Sequence, residues 1–230
     1  MVDDRRGVAT PVGADEVQAR ATALRVRLAS AAGGRPVAVV AVTKGFGPDA
    51  VAAAVAAGLD DVGESYAREL VAKARDHRAG TARWHFLGAV QRRKVRDLAP
   101  LVHLWQSVDR DAAGREIARH APGAAVLVQV NVTGAPGRQG CTWDDAPSLV
   151  ERLRSMDLDV RGLMAVAGRE DPRVQFRRLA GLARDLGLAE LSMGMSGDIE
   201  VAVEEGATMV RVGRALFGAR PIPDPGAWRG

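Results

Sequence analysis

Eight short apolar runs recur along this chain, each followed by a stretch long enough for an amphipathic helix, and no other feature of the sequence restricts its fold so strongly. A strand buried on both faces reads as continuous apolar sequence, which is the signature of a parallel sheet covered by helices. The runs fall at about 37–43, 59–62, 83–87, 102–106, 125–131, 159–164, 189–192 and 208–212. Segments at about 48–57, 65–78, 90–98, 110–119, 143–156, 172–186 and 197–205 read as helices, and a first amphipathic helix precedes them at 14–31. Pro48 stands in a first helical turn, where its missing N–H is harmless, and Gly58 stands at the stop. Eight strand-helix units close into a barrel, so the expected class is α/β, a single (β/α)8 TIM barrel with an extra N-terminal helix. A doubly wound open sheet is the alternative, since strand order is invisible in one sequence, but it demands no count of eight. The expected organisation is one domain over 1–230, with the barrel at 37–220. Residues 1–36 supply the helix and its lead-in, and 221–230 a non-helical tail containing Pro221-Ile-Pro-Asp-Pro225.

Composition excludes several classes. A net charge of +4 arises from cations scattered among 28 acids, without the cationic block or interleaved aromatics of a nucleic-acid surface, so no nucleic-acid partner is expected. The single cysteine, Cys141, cannot form an internal disulfide and has no neighbouring Cys or His at zinc-ligand spacing. No apolar stretch reaches the length of a membrane span, and Met1-Val-Asp-Asp-Arg-Arg does not begin a signal peptide; a cytoplasmic protein without a membrane partner is expected.

Only three of the 32 cationic side chains are lysine, namely Lys44, Lys73 and Lys94. Lys44 ends the most apolar run, Val37-Ala-Val-Val-Ala-Val-Thr-Lys44. Arginine serves wherever positive charge alone is needed, but only an amine loses its proton near neutral pH and condenses with a carbonyl. Taken alone, Lys44 also fits a lysine that snorkels from a strand end. In a barrel the working face lies at the C-terminal ends of the strands, and phosphate commonly binds to the loops after the seventh and eighth. There stand Ser192-Met-Gly194-Met-Ser196-Gly197 and Val212-Gly213-Arg214, whose glycines let backbone N–H groups approach an anion. Ser196 reads equally as the N-cap of the helix it opens, with Asp198 and Glu200 complementing the dipole of that first turn. An anion cradle beside Lys44, on the strand that neighbours strand eight, points to a phosphorylated carbonyl compound held as a Schiff base. In a partly apolar mouth near Arg211, the Lys44 amine should have a depressed pKa.

These segments carry a family pattern: Ala41-Val-Thr-Lys44, Val62-Gly-Glu-Ser-Tyr66, Trp84-His-Phe-Leu-Gly88 with Gln91 and Lys94, Val130-Asn-Val132, Gly162-Leu-Met164, Leu191-Ser-Met-Gly-Met-Ser196, and Val210-Arg-Val-Gly213 with Leu216-Phe-Gly218. Over 37–220 the chain resembles the pyridoxal phosphate homeostasis protein family, single-domain relatives of the alanine racemase N-terminal barrel. The resemblance implies pyridoxal 5'-phosphate (PLP) as cofactor, Lys44 as the imine lysine, Ser192, Ser196, Gly213 and Arg214 around the phosphate, and Arg211 facing the pyridine nitrogen. An arginine does not give up its proton, so the ring stays a poor electron sink and the cofactor is held but weakly activated. The family usually has Asn at the position of Ser65, which could still contact the cofactor through water, and Thr at that of Arg214. Gln91-Arg-Arg-Lys94 reads either as the family's helix start or as a solvated basic face.

The expected function is PLP binding in intracellular PLP homeostasis, with little or no catalysis and with apo PLP enzymes as receiving partners. The competing readings are an amino-acid racemase and a Schiff-base aldolase. Racemisation needs a second acid/base opposite the lysine. Tyr66, the single tyrosine, reads as a rim residue, His85 as a satisfied core histidine, and Cys141 as a thiol without an activating partner. A self-contained barrel without a second domain leans towards a monomer.

Overall fold

The structure, a computed structural model, describes residues 13–168 and 170–220; the lead-in before Gly13 and the proline-containing tail lie outside the described residues. Eight parallel strands pair in chain order and close on themselves, β8 bonding to β1. They are β1 (Ala38–Val42), β2 (Asp61–Glu64), β3 (Arg83–Phe86), β4 (Val102–Val108), β5 (Ala125–Val130), β6 (Asp159–Ala165), β7 (Glu190–Ser192) and β8 (Met209–Val212). Closure decides against the open sheet. Around the ring run α2 (Pro48–Ala56), α3 (Ala67–Ala74), α4 (Arg92–Leu98), α5 (Asp111–His120), α6 (Ala146–Arg154), α7 (Pro172–Asp185), α8 (Ile199–Glu204) and the one-turn α9 (Arg214–Phe217).

The extra helix α1 (Ala14–Ala31) covers the seam where the barrel closes, buried through Val17, Ala21, Leu24 and Leu28 against α2, α8 and α9. That spacing keeps one stripe on the core side, and each full leucine burial contributes about 2 kcal/mol. Arg25 donates to the carbonyls of Ala57 and Gly58 after α2, and Arg35 to Val203 and Ala207 around the end of α8. These arginines add side-chain donors to carbonyls at and just beyond the helix ends.

The main apolar core lies between the helices and the outer face of the barrel. A smaller cluster of Val40, Leu104, Ala125, Leu127, Met164 and Met209 forms a separate core. Several elements depart from the sequence expectation. β2 begins at Asp61, because Leu59 packs into the core before the strand starts, just after Gly58 at φ +69°. β4 runs on to Val108, since its polar residues Gln106 and Ser107 are themselves buried. α8 starts at Ile199 with Asp198 at its cap position, so Ser196 belongs to the loop and does not open the helix. The turn α9 was not anticipated.

Candidate functional site

At the C-terminal ends of the strands the barrel opens into a cavity of about 840 Å³. Lys44, Ser65, Ser196, Arg211, Gly213 and Arg214 all line it. Lys44 follows β1, whose Val40 and Ala41 pair with Arg211 and Val212 of β8. Burial lowers the Lys44 pKa, Arg220 lowers it further, and Arg211 adds a smaller push; Glu64 and Glu69 oppose them. The direction matches expectation. Arg220, which also lines the cavity, was missed by sequence reasoning because nothing in Gly218-Ala-Arg220 separates it from a solvated arginine.

The two loops across the mouth can receive an anion. The backbone N–H groups of Ser196 and Gly197, and of Arg214 and Ala215 at the start of α9, have no acceptor among the described residues. Gly213 brings its Cα so close to β1 that an added Cβ would stand 3.2 Å from the Val42 carbonyl oxygen. Asp198 accepts from the Met195 N–H at 2.6 Å, which fixes the loop between β7 and α8. On the opposite side an added Cβ at Gly88 would stand 1.9 Å from the Ser65 carbonyl oxygen, so only glycine lets the loop after β3 lie against Ser65.

Ser192 is placed differently from expectation. It is fully buried and does not line the cavity, because its hydroxyl is committed inside the barrel. Arg211 Nη1 donates to the Ser192 Oγ and carbonyl oxygen, both at 2.7 Å, and Nη2 to the Ala165 carbonyl at 2.7 Å. The Ser192 hydroxyl donates to Gln106 Oε1 at 2.6 Å, and Gln106 Nε2 lies 2.7 Å from His85 Nδ1. His85 Nε2 lies 3.1 Å from Asp61 Oδ1, on which Arg83 also closes a two-pronged contact. Burial opposes ionisation of Asp61, but the hydrogen bonds from His85 and Arg83 outweigh it and hold the carboxyl well below its usual range. Arginine only donates and an ionised carboxylate only accepts, so every bond in this chain donates from the mouth towards Asp61. His85 is then the Nε2–H tautomer, satisfied on both nitrogens, as expected of a core histidine.

Burial lowers the Arg211 pKa to about 10, leaving the guanidinium charged at neutral pH although none of its partners is a carboxylate. Such a cation, exposed to the cavity on one side, is suited to a polar ligand atom. Lys73 is buried in an ion cluster with Glu64 and Glu69, and Lys94 lies at a separate groove between α3 and α4, so Lys44 alone of the three lysines faces the main cavity. Tyr66 is 59% exposed at the rim, and Cys141 is buried with its thiol pushed up to about 12 by loss of solvation. Gln91 reaches the cavity wall, whereas Lys94 does not.

A reactive amine, free N–H groups and a charged donor in one cavity fit a phosphorylated aldehyde with a polar ring atom. Comparison with known proteins agrees. The family model described as alanine racemase, N-terminal domain, matches residues 15–221. A pyridoxal phosphate homeostasis protein from Pseudomonas aeruginosa is 41% identical over 217 residues, 88% of this chain and 94% of that protein. PipY of Synechococcus elongatus, solved with PLP bound, superposes with a TM-score of 0.78 at 30% identity, covering 88% of this chain and all of PipY. Alanine racemase from Corynebacterium glutamicum shares the fold at a TM-score of 0.66 and 19% identity, over 92% of this chain and 62% of that enzyme. The chain therefore belongs to the alanine racemase N-terminal domain family, within its group of pyridoxal phosphate homeostasis proteins.

Proposed function

We propose that this chain is a PLP-binding protein of intracellular PLP homeostasis, a single-domain cytoplasmic monomer that holds the cofactor reversibly and yields it to apo PLP enzymes. When bound, PLP supplies an aldehyde that condenses with an amine to a Schiff base, with loss of water, and a phosphate that accepts hydrogen bonds. Lys44 is the amine, and the observation that carries the reading is its position as the one lysine in the cavity, with a lowered pKa, together with the N–H groups of the loops after β7 and β8 that have no acceptor among the described residues.

Ser196, Gly197, Arg214 and Ala215 would receive the phosphate through their backbone N–H groups, with the helix turn at α9 adding positive potential. Arg211 would present its remaining N–H groups to the pyridine nitrogen and keep that atom unprotonated. Ser65 borders the cavity and would reach the cofactor from there, and Ser192, outside the cavity lining, would act through its hydrogen bond from Arg211.

Racemisation would require an acid/base facing Lys44 across the cofactor. Tyr66 borders the cavity but is more than half exposed to solvent at its edge, and His85 is engaged at both nitrogens away from the cavity lining. Holding without turnover is therefore the better reading. Purified protein loaded with PLP should absorb at about 420 nm, as an internal imine does. Lys44→Ala should abolish the band while circular dichroism keeps the barrel signature; a band retained in that variant would overturn the assignment.

A further inference from the structure

Directly behind Lys44 lies a buried ionic cluster that cofactor binding does not use. Lys73 Nζ bonds to Glu64 Oε1 at 2.5 Å, to Glu69 Oε2 at 3.0 Å and to the Thr43 carbonyl at 2.8 Å. The Thr43 hydroxyl donates to Glu64 Oε1 at 2.8 Å, and the Gly45 N–H donates to Glu69 Oε2 at 2.9 Å. Residues immediately before and after Lys44 are thus tied to the same three side chains. All three are at least 98% buried, and Glu64 Oε2 has no partner among the described residues.

A buried ion cluster of this kind is a poor source of stability, because desolvation of three charges roughly cancels their attraction and apolar residues of similar volume serve as well. With both acids ionised, two carboxylates and one ammonium leave a net negative charge; burial pushes the Glu64 carboxyl up, while Lys73 and the Thr43 hydroxyl pull it back. Arg211 on β8, Arg214 on α9 and Arg220 beyond it are the other cations lining the cavity with Lys44, burial, Arg220 and Arg211 pushing its pKa down, and Asp198 before α8 is the other anion there.

We propose that Glu64, Lys73 and Glu69 are positioning residues for Lys44, pinning the chain on both sides of it and supplying the negative charge that offsets the surrounding arginines. The cluster favours the protonated amine against those arginines, and its bonds to Thr43 and Gly45 hold the chain on both sides of Lys44. Its purpose rests on Lys44 being the cofactor amine, but its chemistry can be tested without cofactor.

The test is competitive acylation of the cofactor-free protein with acetic anhydride across pH 6–10, read by mass spectrometry of the Lys44 peptide. In Glu64→Gln, which keeps the Oε1 acceptor for Thr43 and Lys73, Lys44 labelling at pH 7 should rise about tenfold, as loss of one nearby unit charge increases the neutral amine fraction. Glu69→Gln should act in the same direction, and it carries the test if the Glu64 variant does not fold. The Lys94 peptide serves as internal reference. Folded variants whose Lys44 labelling profile equals that of the natural protein would overturn the proposal, leaving the cluster a packing feature. A missing 420 nm band in the natural protein would remove the cofactor reading and leave this result intact.

Discussion

Replacing Gln106 by leucine should expose how firmly the interior hydrogen-bond chain is built. Leucine nearly preserves the volume but removes both halves of the amide, leaving the Ser192 hydroxyl without its acceptor and His85 Nδ1 without its donor, both fully buried. Each orphaned polar group costs ~1–3 kcal/mol, so Gln106→Leu should destabilise by about 3 kcal/mol. For a chain of this length that lowers Tm by roughly 6–12 °C. His85→Leu should cost less, about 2 kcal/mol, since Asp61 keeps Arg83 and Gln106 Nε2 keeps its contact with Met209 Sδ at 3.0 Å. The double variant removes both partners of the central bond, so it should be cheaper than the sum of the two singles by about 1–2 kcal/mol. Urea titrations followed by the fluorescence of the buried Trp84 and Trp105 give all three values. Strict additivity at an unchanged m-value would refute a continuous chain from Asp61 to Arg211.

Two further outcomes follow from the geometry. Gly88→Ala forces a backbone shift at Ser65, so Tm should fall by roughly 4–8 °C, about 2 kcal/mol, and PLP should be retained more weakly in dialysis; an unchanged Tm would show that the loop yields freely. Because the folded Asp61 carboxyl is depressed, its contribution is present above the ordinary carboxylate pKa and is lost as pH falls below it. Asp61→Asn should therefore flatten the loss of stability below about pH 4 in denaturation measured against pH, and an equally steep acid limb would contradict the pairing.

The sequence displays the barrel because its strands are buried on both faces and so appear as largely apolar runs, as in Ala125–Val130, where every residue is buried and only Gln129 is polar. Strand ends were less visible where polar residues are buried too, as at Gln106 and Ser107 in β4. Lys44, Ser196, Arg211, Gly213 and Arg214 were legible because each lies close to the C-terminal end of β1, β7 or β8, which places it at the mouth. Ser192 sat at the same kind of position, yet its side chain turns inward to Arg211, and strand alternation alone did not reveal which neighbour it would meet. The interior chain draws Asp61, His85, Gln106, Ser192 and Arg211 from five strands at no fixed spacing, so only closure of the barrel assembles it. The Glu69 and Lys73 pair has helical spacing, but the same pattern commonly marks an exposed helix face; what distinguishes it is burial against Glu64 and Thr43.

The one thiol of the chain sits in the loop after β5, where Cys141 bridges to Val130 and keeps its proton throughout the physiological range. With so little thiolate it is a sluggish target for peroxide and for mixed-disulfide exchange, and it offers no rival sulfur nucleophile to an aldehyde. Beside an aldehyde-binding cavity, the only sulfhydryl of the chain is thus buried, protonated and slow to react.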